Sequence, residues 1–260
     1  MKLPHLSVLL FILTSLFTIH DSAAAPQQPP NFVVIMADDL GYAELGCYGS
    51  KTFKTPHIDA LAEGGLRLTD FHSNGAVCSP TRAALLTGRY QQRSGIDGVV
   101  TAKGHRHTGL GLEQETVAEL LKRAGYATGM FGKWHVGYDP KFNPSKQGFD
   151  QFQGFVSGNI DLFSHVDQEG WFDWWVQDEL SYVPGYAPHQ ITERGIEFIR
   201  QHKDQPFLLY LPHPAPHYPY QGPKDQANRV VKKGFKPEQL DKLKTVPALK
   251  KAEAARAYRE

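Results

Sequence analysis

A continuous apolar run near the start of the chain limits the possible folds more than any other feature. Residues 32–37 are apolar without alternation, and Asp38 and Asp39 follow them directly. A strand buried on both faces of a parallel sheet has this pattern, because helices cover both sides of such a sheet. Ligands collect at the carboxyl ends of these strands, so the two aspartates lie where a site is expected.

Strand-like and helix-like segments alternate over most of the remaining sequence. Further strands are predicted at 66–71, 126–131 and 207–211. Helices are predicted at 56–63, 78–87, 114–124 and 190–201. Strands that take turns with helices indicate an α/β fold, with a mainly parallel sheet and helices on both of its faces.

The first of these helices has recognisable boundary residues. Thr55 is expected to cap its N-terminus, Pro56 suits its first position, and Gly64 is expected to end it. Ile58, Leu61 and Ala62 are predicted to be buried by this helix.

The first 25 residues have the layout of a secretory signal peptide. Lys2 precedes an apolar run at 6–19, which is followed by small residues ending in Ala25. The run is short for a membrane span, so cleavage near Ala25 and export are predicted, with an uncleaved anchor as the alternative. Residues 26–260 would then form one secreted or periplasmic domain without stable insertion in a membrane.

The overall charge argues against a nucleic acid as partner. The 260 residues carry a formal net charge of +1, with 41% apolar and 21% charged content. The one lysine-rich stretch, at 232–251, alternates with acidic residues and proline and is interpreted as a solvated surface segment. A surface helix is predicted for the tail at 236–260.

The two cysteines allow two interpretations. In an exported protein, Cys47 and Cys78 first suggest a disulfide. Cys78, however, begins a predicted helix, where unpaired N–H groups and the helix dipole favour an anion beside the thiol. Pro80 and Arg82 follow closely, which favours a chemical role for Cys78 over a bridge.

The periodicity weakens between residues 137 and 188, as in a functional loop region. Residues 171–175 are all aromatic except Asp173. Stacking of these rings on a sugar or aryl group is one interpretation, and a small hydrophobic cluster under the loop is the favoured one.

Five segments, taken in order, resemble the sulfatase family. The most specific is Cys-Ser-Pro-Thr-Arg at 78–82, with Thr-Gly-Arg at 87–89, which is similar to the family signature. The other four resemble the family's opening metal acids, the helix that follows, its Lys/His strand end and its second histidine turn; they lie at 31–49, 55–62, 132–137 and 215–219. The resemblance implies an alkaline-phosphatase-like fold and a sulfuric ester hydrolase.

In that family the motif cysteine is converted to Cα-formylglycine, so the resemblance implies this modification of Cys78 by a maturation enzyme. A hydrated aldehyde has one hydroxyl to attack sulfur and a second that can collapse to the carbonyl and release sulfate. Asp38, Asp39 and the modified Cys78 are implied as ligands of a divalent ion. Hard oxygen ligands suit Ca²⁺ or Mg²⁺, and the resemblance favours calcium.

The resemblance also assigns roles to four basic side chains. Arg82 is expected to hold the hydrated aldehyde. Lys133 and His135 are two residues apart at a predicted strand end, so both side chains are expected on one side of the chain. Lys133 would contact the sulfate and His135 would be the base for the collapse. His217 would contact the sulfate and protonate the leaving oxygen.

Two further residues are weighed beside these. His213 competes with His217 on spacing alone, and only the Pro-His-x-Pro context at 216–219 favours His217. Ser164 resembles a serine that some sulfatases place beside the substrate, so it is expected to contribute to substrate binding.

Two elements of the family have no counterpart in this sequence, a second metal pair of the form Asp-Asn and a later lysine at the sulfate. Calcium takes about six or more oxygen ligands, which exceeds what the two aspartates, the hydrate and a sulfate supply. We therefore expect a catalytic domain that is incomplete at its C-terminal end and binds metal poorly.

Two other functions fit part of the pattern. A metal-dependent phosphatase or phosphodiesterase would also place an aspartate at a strand end and a nucleophile at a helix start, although with serine or threonine in place of cysteine. An exported binding protein that has lost its chemistry would retain the surface without the missing ligands. For a sulfatase, the substrate is expected to be a sulfated carbohydrate or an aryl sulfate, selected by loops such as 154–188.

Overall fold

The structure is a computed structural model that describes residues 29–230. The signal peptide predicted at 1–25, the lysine-rich segment at 232–251 and the tail helix at 236–260 lie outside the described residues. Six α-helices are described: α1 Pro56–Glu63, α2 Cys78–Thr87, α3 Gln91–Ser94, α4 Ala102–His105, α5 Val117–Arg123 and α6 Ala187–His202.

The described strands form one mixed sheet. They are β1 Phe32–Asp38, β2 Ala127–Lys133, β3 Gln151–Phe155, β4 Trp175–Val176, β5 Glu179–Leu180 and β6 Phe207–Pro216. Their spatial order is β1-β6-β2-β3-β4-β5. Strands β1, β6, β2 and β3 pair in parallel with their neighbours, whereas β4 and β5 are added antiparallel. The predicted α/β class with a mainly parallel sheet is confirmed.

Helix α6 covers one face of the central strands. Phe198 is buried between the helix and the sheet, where its ring meets Phe131 of β2 at 5.9 Å and Phe207 of β6 at 5.8 Å. Side chains of a strand alternate between faces, so Tyr210 of β6 points to the other side. There its ring stacks on Phe149 at 6.4 Å. Apolar side chains therefore pack against both faces of β6.

Strand β1 has the predicted position but not the predicted burial. Val33 and Ile35 pair in register with Leu209 and Leu211 on the face that carries α6, yet Ile35 is 64% exposed. Helix α6 packs over β2 and β6, whereas β1 lies at the end of the described sheet. The expectation of a strand buried on both faces is therefore wrong within residues 29–230, because the edge position leaves one face uncovered.

Helix α1 has the predicted bounds, but it buries no residue, and Leu61 is 73% exposed. Thr55 makes no side-chain cap. Instead its hydroxyl accepts a hydrogen bond from the Gly46 amide and donates to Asp59. The expected burial and the expected cap are both wrong, because the helix packs mainly on the short 3-10 helix Gly46–Tyr48 and not on the sheet.

The strand predicted at 66–71 is absent. This segment has no ladder partner among the described residues, and its apolar side chains are exposed. Tyrosine hydroxyls hold it instead, because Tyr48 donates to the Leu68 carbonyl and Tyr42 donates to the Phe71 carbonyl. An apolar, β-prone sequence forms a strand only where a neighbouring strand accepts its main-chain groups.

The remaining boundaries differ from the prediction by a few residues. The helix predicted from 114 begins at Val117, because Thr116 and Glu119 form a capping box there. Helix α2 begins at Cys78 as predicted and ends at Gly88, whose φ of 64° suits a glycine C-cap. Strand β6 continues past Leu211 to Pro216, so it extends alongside Asp38 of β1.

The aromatic segment at 171–175 is packed inside the molecule. Phe172, Trp174 and Trp175 are buried and belong to the main core cluster. The favoured interpretation, packing instead of sugar stacking, is confirmed, although the rings join the main core and not a separate small cluster.

Among residues 29–230, no helix combines the length and the apolar content that crossing a lipid bilayer requires.

Replacing Phe198 with alanine is expected to lower the free energy of unfolding by about 3–5 kcal/mol, because the change empties a buried site between α6 and the sheet. Ile199 is the control, since it is the next residue of the same helix and is partly exposed. Its replacement by alanine is expected to cost less than about 1 kcal/mol. Urea unfolding followed by circular dichroism measures both, and equal losses would contradict this packing.

Candidate active site

Cys78 lies at the start of α2, beside the carboxyl end of β1. It is half-buried and carries a free thiol. A cavity of about 700 Å³ is lined by Cys78 together with Asp38, Asp39 and Arg82. The predicted nucleophile and the predicted metal acids therefore face one cavity.

The alternative disulfide is not formed. Cys47 is free as well, and its main chain is held from two sides. The Cys47 amide donates to Asp59 at 2.7 Å, and the Cys47 carbonyl accepts from Arg67. Both cysteines therefore carry free thiols.

The carboxylate of Asp38 holds two cations inside the protein. Arg82 Nη2 lies 3.0 Å from Asp38 Oδ1, and Lys133 Nζ lies 2.5 Å from Asp38 Oδ2. The guanidinium also donates through Nη1 to the Lys133 carbonyl at 2.8 Å. All three side chains are almost fully buried. Two positive charges against one negative charge leave this cluster with an excess of one positive charge.

The charges of this cluster act on one another. Burial raises the pKa of Asp38, but the nearby charges of Arg82 and Lys133 outweigh it, and the pKa falls below its ordinary value of 3.8. Burial, together with the charge of Arg82, lowers the pKa of Lys133 from its ordinary value of 10.5. The Asp38 carboxylate is therefore ionised across the neutral range, and it opposes the loss of the lysine proton.

His135 joins the site through a turn of the backbone, not as part of the strand. Strand β2 ends at Lys133, and His135 has a φ of 57°. The expectation that both side chains project from one extended segment is therefore wrong. Burial lowers the pKa of His135 well below its ordinary value of 6.5, and the charges of Lys133 and Arg82 lower it further. The imidazole is neutral at neutral pH.

His217 follows β6 and faces Asp39. Its Nε2 lies 3.7 Å from Asp39 Oδ2, and its Nδ1 donates to the Tyr218 carbonyl at 2.5 Å. Its charge also contributes to the lowered pKa values of Asp38 and His135. His213, the competing histidine, lies half-buried within β6. His217 is the histidine that approaches Asp39, and its role in the reaction stays a prediction.

Ser164 is engaged in holding two loops together. Its hydroxyl donates to the Arg229 carbonyl at 2.8 Å, and its amide donates to buried Asp161. Asp161 also accepts from Gln221 and from the amides of Asn228 and Arg229. The role of Ser164 beside a substrate stays a prediction, while these contacts give it a structural role.

Main-chain groups form a part of the site that the sequence interpretation missed. The Val100 carbonyl accepts a hydrogen bond from His135 Nε2 at 2.9 Å. Gly158 packs against the same ring, because a Cβ at this position would lie 2.8 Å from its Cε1 and Nε2. A contact made by a main-chain carbonyl cannot be recognised from the residue type. The glycine at position 158 was therefore the sequence signal for this part of the site, and it is a weak one.

The described residues do not fit a complete calcium site. Residues 29–230 contain no group of three or more His, Cys, Asp or Glu side chains arranged to hold a metal ion. Asp38 and Asp39 are suitable hard ligands, but both oxygens of Asp38 are already occupied by Arg82 and Lys133. Poor metal binding by this chain stays a prediction.

Addition of calcium or magnesium is expected to leave the melting temperature of the full chain unchanged, because residues 29–230 assemble too few ligands to bind either ion. Differential scanning fluorimetry with and without a chelator measures this. A saturable rise that is lost in the Asp39→Asn variant would contradict the expectation.

Replacing Asp38 with asparagine is expected to lower the free energy of unfolding by about 3–5 kcal/mol at neutral pH, since it leaves Lys133 and Arg82 buried without their carboxylate. The folded-state pKa of Asp38 is lowered. Its contribution is therefore present above the ordinary value of 3.8 and is lost as the pH falls through the folded-state pKa.

Urea unfolding at several pH values, in the presence of a chelator, measures this difference. Asp39→Asn is the matched control, because Asp39 is largely exposed and pairs only loosely. A loss that is equal for both variants, or that grows as the pH falls below 3.8, would contradict the assignment.

Comparison with known sequences places these features in a family. A model of the sulfatase family matches residues 30–258. Arylsulfatase A of Homo sapiens is 40% identical over 217 residues, covering 75% of this chain and 43% of the human protein. Steryl-sulfatase of Mus musculus is 42% identical over 167 residues, covering 60% of this chain and 27% of the mouse protein. The chain thus spans less than half the length of these relatives.

Solved structures show the same relation. Ps i-CgsB in complex with k-i-k-neocarrahexaose has a TM-score of 0.69 and 29% identity, covering 89% of this chain and 52% of that one. BT4656 in complex with D-glucosamine-2-N,6-O-disulfate has a TM-score of 0.62 and 29% identity, covering 75% and 36%. The expected alkaline-phosphatase-like fold is confirmed by these neighbours. With a family model that matches most of its length and an arylsulfatase A that shares 40% of the aligned residues, the chain belongs to the sulfatase family.

Proposed function

We propose that this chain carries the nucleophile-bearing part of a sulfuric ester hydrolase that acts on sulfate monoesters. One observation carries the proposal. Cys78 begins α2 beside the buried cluster of Asp38, Arg82 and Lys133, which has an excess positive charge. An anionic ester is attracted to such a cluster and to the N-terminus of the adjacent helix.

Cys78 is proposed as the position that matures to Cα-formylglycine, through a maturation enzyme that recognises the motif at 78–82. The residue is suited to this change because its thiol is free, half-buried and open to a cavity. The hydrated aldehyde would supply a hydroxyl nucleophile and a second hydroxyl for the release of sulfate.

Lys133 is proposed to contact the sulfate group and Arg82 to hold the hydrated aldehyde, and the positive charge of both favours a bound anion. Both are held in place by Asp38, so their positive charges are already oriented before a substrate binds. Arg82 is additionally fixed by the Lys133 carbonyl, which makes it the more rigid of the two.

The two histidines are proposed for the proton transfers. His135 is neutral, and with Nε2 donating to Val100 its Nδ1 is the nitrogen free to accept a proton. His217, whose Nε2 lies 3.7 Å from Asp39 Oδ2, is proposed as the acid toward the leaving oxygen. Ser164 remains a candidate for substrate binding.

The environment of the enzyme is proposed from the same resemblance. A sulfated carbohydrate or an aryl sulfate is the proposed substrate, and one structural neighbour was solved with D-glucosamine-2-N,6-O-disulfate. Export to a secreted or periplasmic location follows from the signal-like residues 1–25. The resemblance favours calcium before magnesium, and Asp38 and Asp39 are the proposed ligands, although residues 29–230 complete no site for either ion.

Mass spectrometry of the peptide that contains Cys78 is the direct test of the modification. After expression with a formylglycine-generating enzyme, we expect the residue to have lost one sulfur and two hydrogens and to have gained one oxygen. Arg82→Ala is expected to abolish this conversion by breaking the motif, whereas Cys47→Ala leaves it intact. An unmodified thiol, or a bridge to Cys47, would contradict the proposal.

Hydrolysis of a matched pair of aryl esters tests the reaction. A converted preparation is expected to hydrolyse the aryl sulfate faster than the aryl phosphate, and Cys78→Ala is expected to abolish this turnover. Faster release from the phosphate would favour the phosphatase alternative. Full conversion at Cys78 with no turnover of either ester would favour a binding protein that has lost its chemistry.

A further inference from the structure

A chain of two hydrogen bonds joins the neighbour of Cys78 to the ring of His135. Ser79 is the second residue of α2 and is fully buried. Its Oγ accepts a hydrogen bond from the Val100 amide at 3.1 Å. The carbonyl of the same residue, Val100, accepts from His135 Nε2 at 2.9 Å. Val100 is thus held through its amide on one side and holds the histidine through its carbonyl on the other.

The His135 ring is enclosed on its other sides. Gly158 leaves no room for a side chain, since a Cβ there would lie 2.8 Å from the ring atoms Cε1 and Nε2. The ring of Tyr138 meets the imidazole edge-on at 6.5 Å, and the Tyr138 hydroxyl accepts from the Gly158 amide. Rotation of the imidazole would therefore need a shift of Gly158 or of Val100.

The hydrogen bond to Val100 fixes the tautomer. A carbonyl oxygen only accepts, so Nε2 must carry the proton. His135 Nδ1 is then the unprotonated nitrogen, and it is buried without a hydrogen-bond partner. A buried acceptor without a partner is costly, and such groups in native proteins often have a catalytic role.

We propose that Ser79 is a positioning residue, which fixes the direction and the tautomer of His135 through Val100. The inference rests on the proposed function, in which His135 is the base. Because Cys78 and Ser79 are neighbours at the start of α2, one turn of helix would set the place of the nucleophile and also the orientation of the base.

Ser79 Oγ is the acceptor that the structure gives the Val100 amide. Residues 95–101 are in no helix or strand, so no regular ladder receives the Val100 amide. An alanine at position 79 would leave this buried N–H without a partner, and the segment would move to find one. His135 Nε2 would then lose its carbonyl, and the tautomer with a proton on Nδ1 would become populated.

Nuclear magnetic resonance of the full chain with ¹⁵N-labelled histidine tests the proposal without any need for turnover. The signals of His135 are assigned with the His135→Gln variant, since the chain has 12 histidines. In the parent protein we expect a protonated Nε2, an unprotonated Nδ1 and a slowly exchanging ring proton. In Ser79→Ala we expect exchange of this proton to be faster by about tenfold or more, the effect of one lost buried hydrogen bond.

Two further variants separate positioning from a general structural effect. Ser94→Ala removes another buried serine hydroxyl, one that donates to the Gln91 carbonyl, and it is expected to leave the His135 signals unchanged. Ser79→Thr retains the oxygen acceptor and is expected to retain slow exchange and the parent tautomer.

Three results would overturn the proposal. One is a parent protein in which Nδ1 of His135 carries the proton, which decides the matter even when Ser79→Ala does not fold. Another is a folded Ser79→Ala with unchanged exchange. The third is an equal effect of Ser94→Ala. The magnetic resonance signals do not depend on sulfatase turnover. A protein without turnover can therefore still confirm or contradict this inference, so the two failures are distinguishable.

Discussion

The buried carboxylate of Asp38 is the group on which the site depends. It ends β1 and binds Arg82 from α2 and Lys133 from β2, so three elements distant in sequence are joined by one side chain. Neither cation has another carboxylate partner among the described residues. Burying either cation without the carboxylate would cost far more free energy than the ion pair contributes to stability. The main effect of the carboxylate is therefore to exclude other arrangements of these three elements.

The fold brings two kinds of polar group to the same end of the sheet. The charge cluster lies at the ends of β1 and β2, while the histidines lie on the segments that follow β2 and β6. Burial lowers the pKa of His135, so a neutral imidazole lies beside the two cations. The segment after His217 is tied back to Asp161 through Gln221, which limits its movement.

The sequence predicted the side chains of this site better than their surroundings. Residues such as Cys78, Arg82 and Asp38 were recognisable because a motif requires particular side chains. The exposure of Ile35 was not, since burial depends on which element covers a strand and not on the strand itself. The turn at His135 and the contact of its ring with the Val100 carbonyl were equally hidden, because main-chain conformation leaves little trace in residue type.

The position of β1 at the end of the described sheet has a practical consequence. One edge of the strand presents unpaired N–H and C=O groups within residues 29–230, next to the exposed side chains of Val33 and Ile35. Bare edges with apolar flanks promote intermolecular strand pairing and aggregation. Purification at low concentration, with a lysine introduced at position 35, would counter this tendency toward self-association.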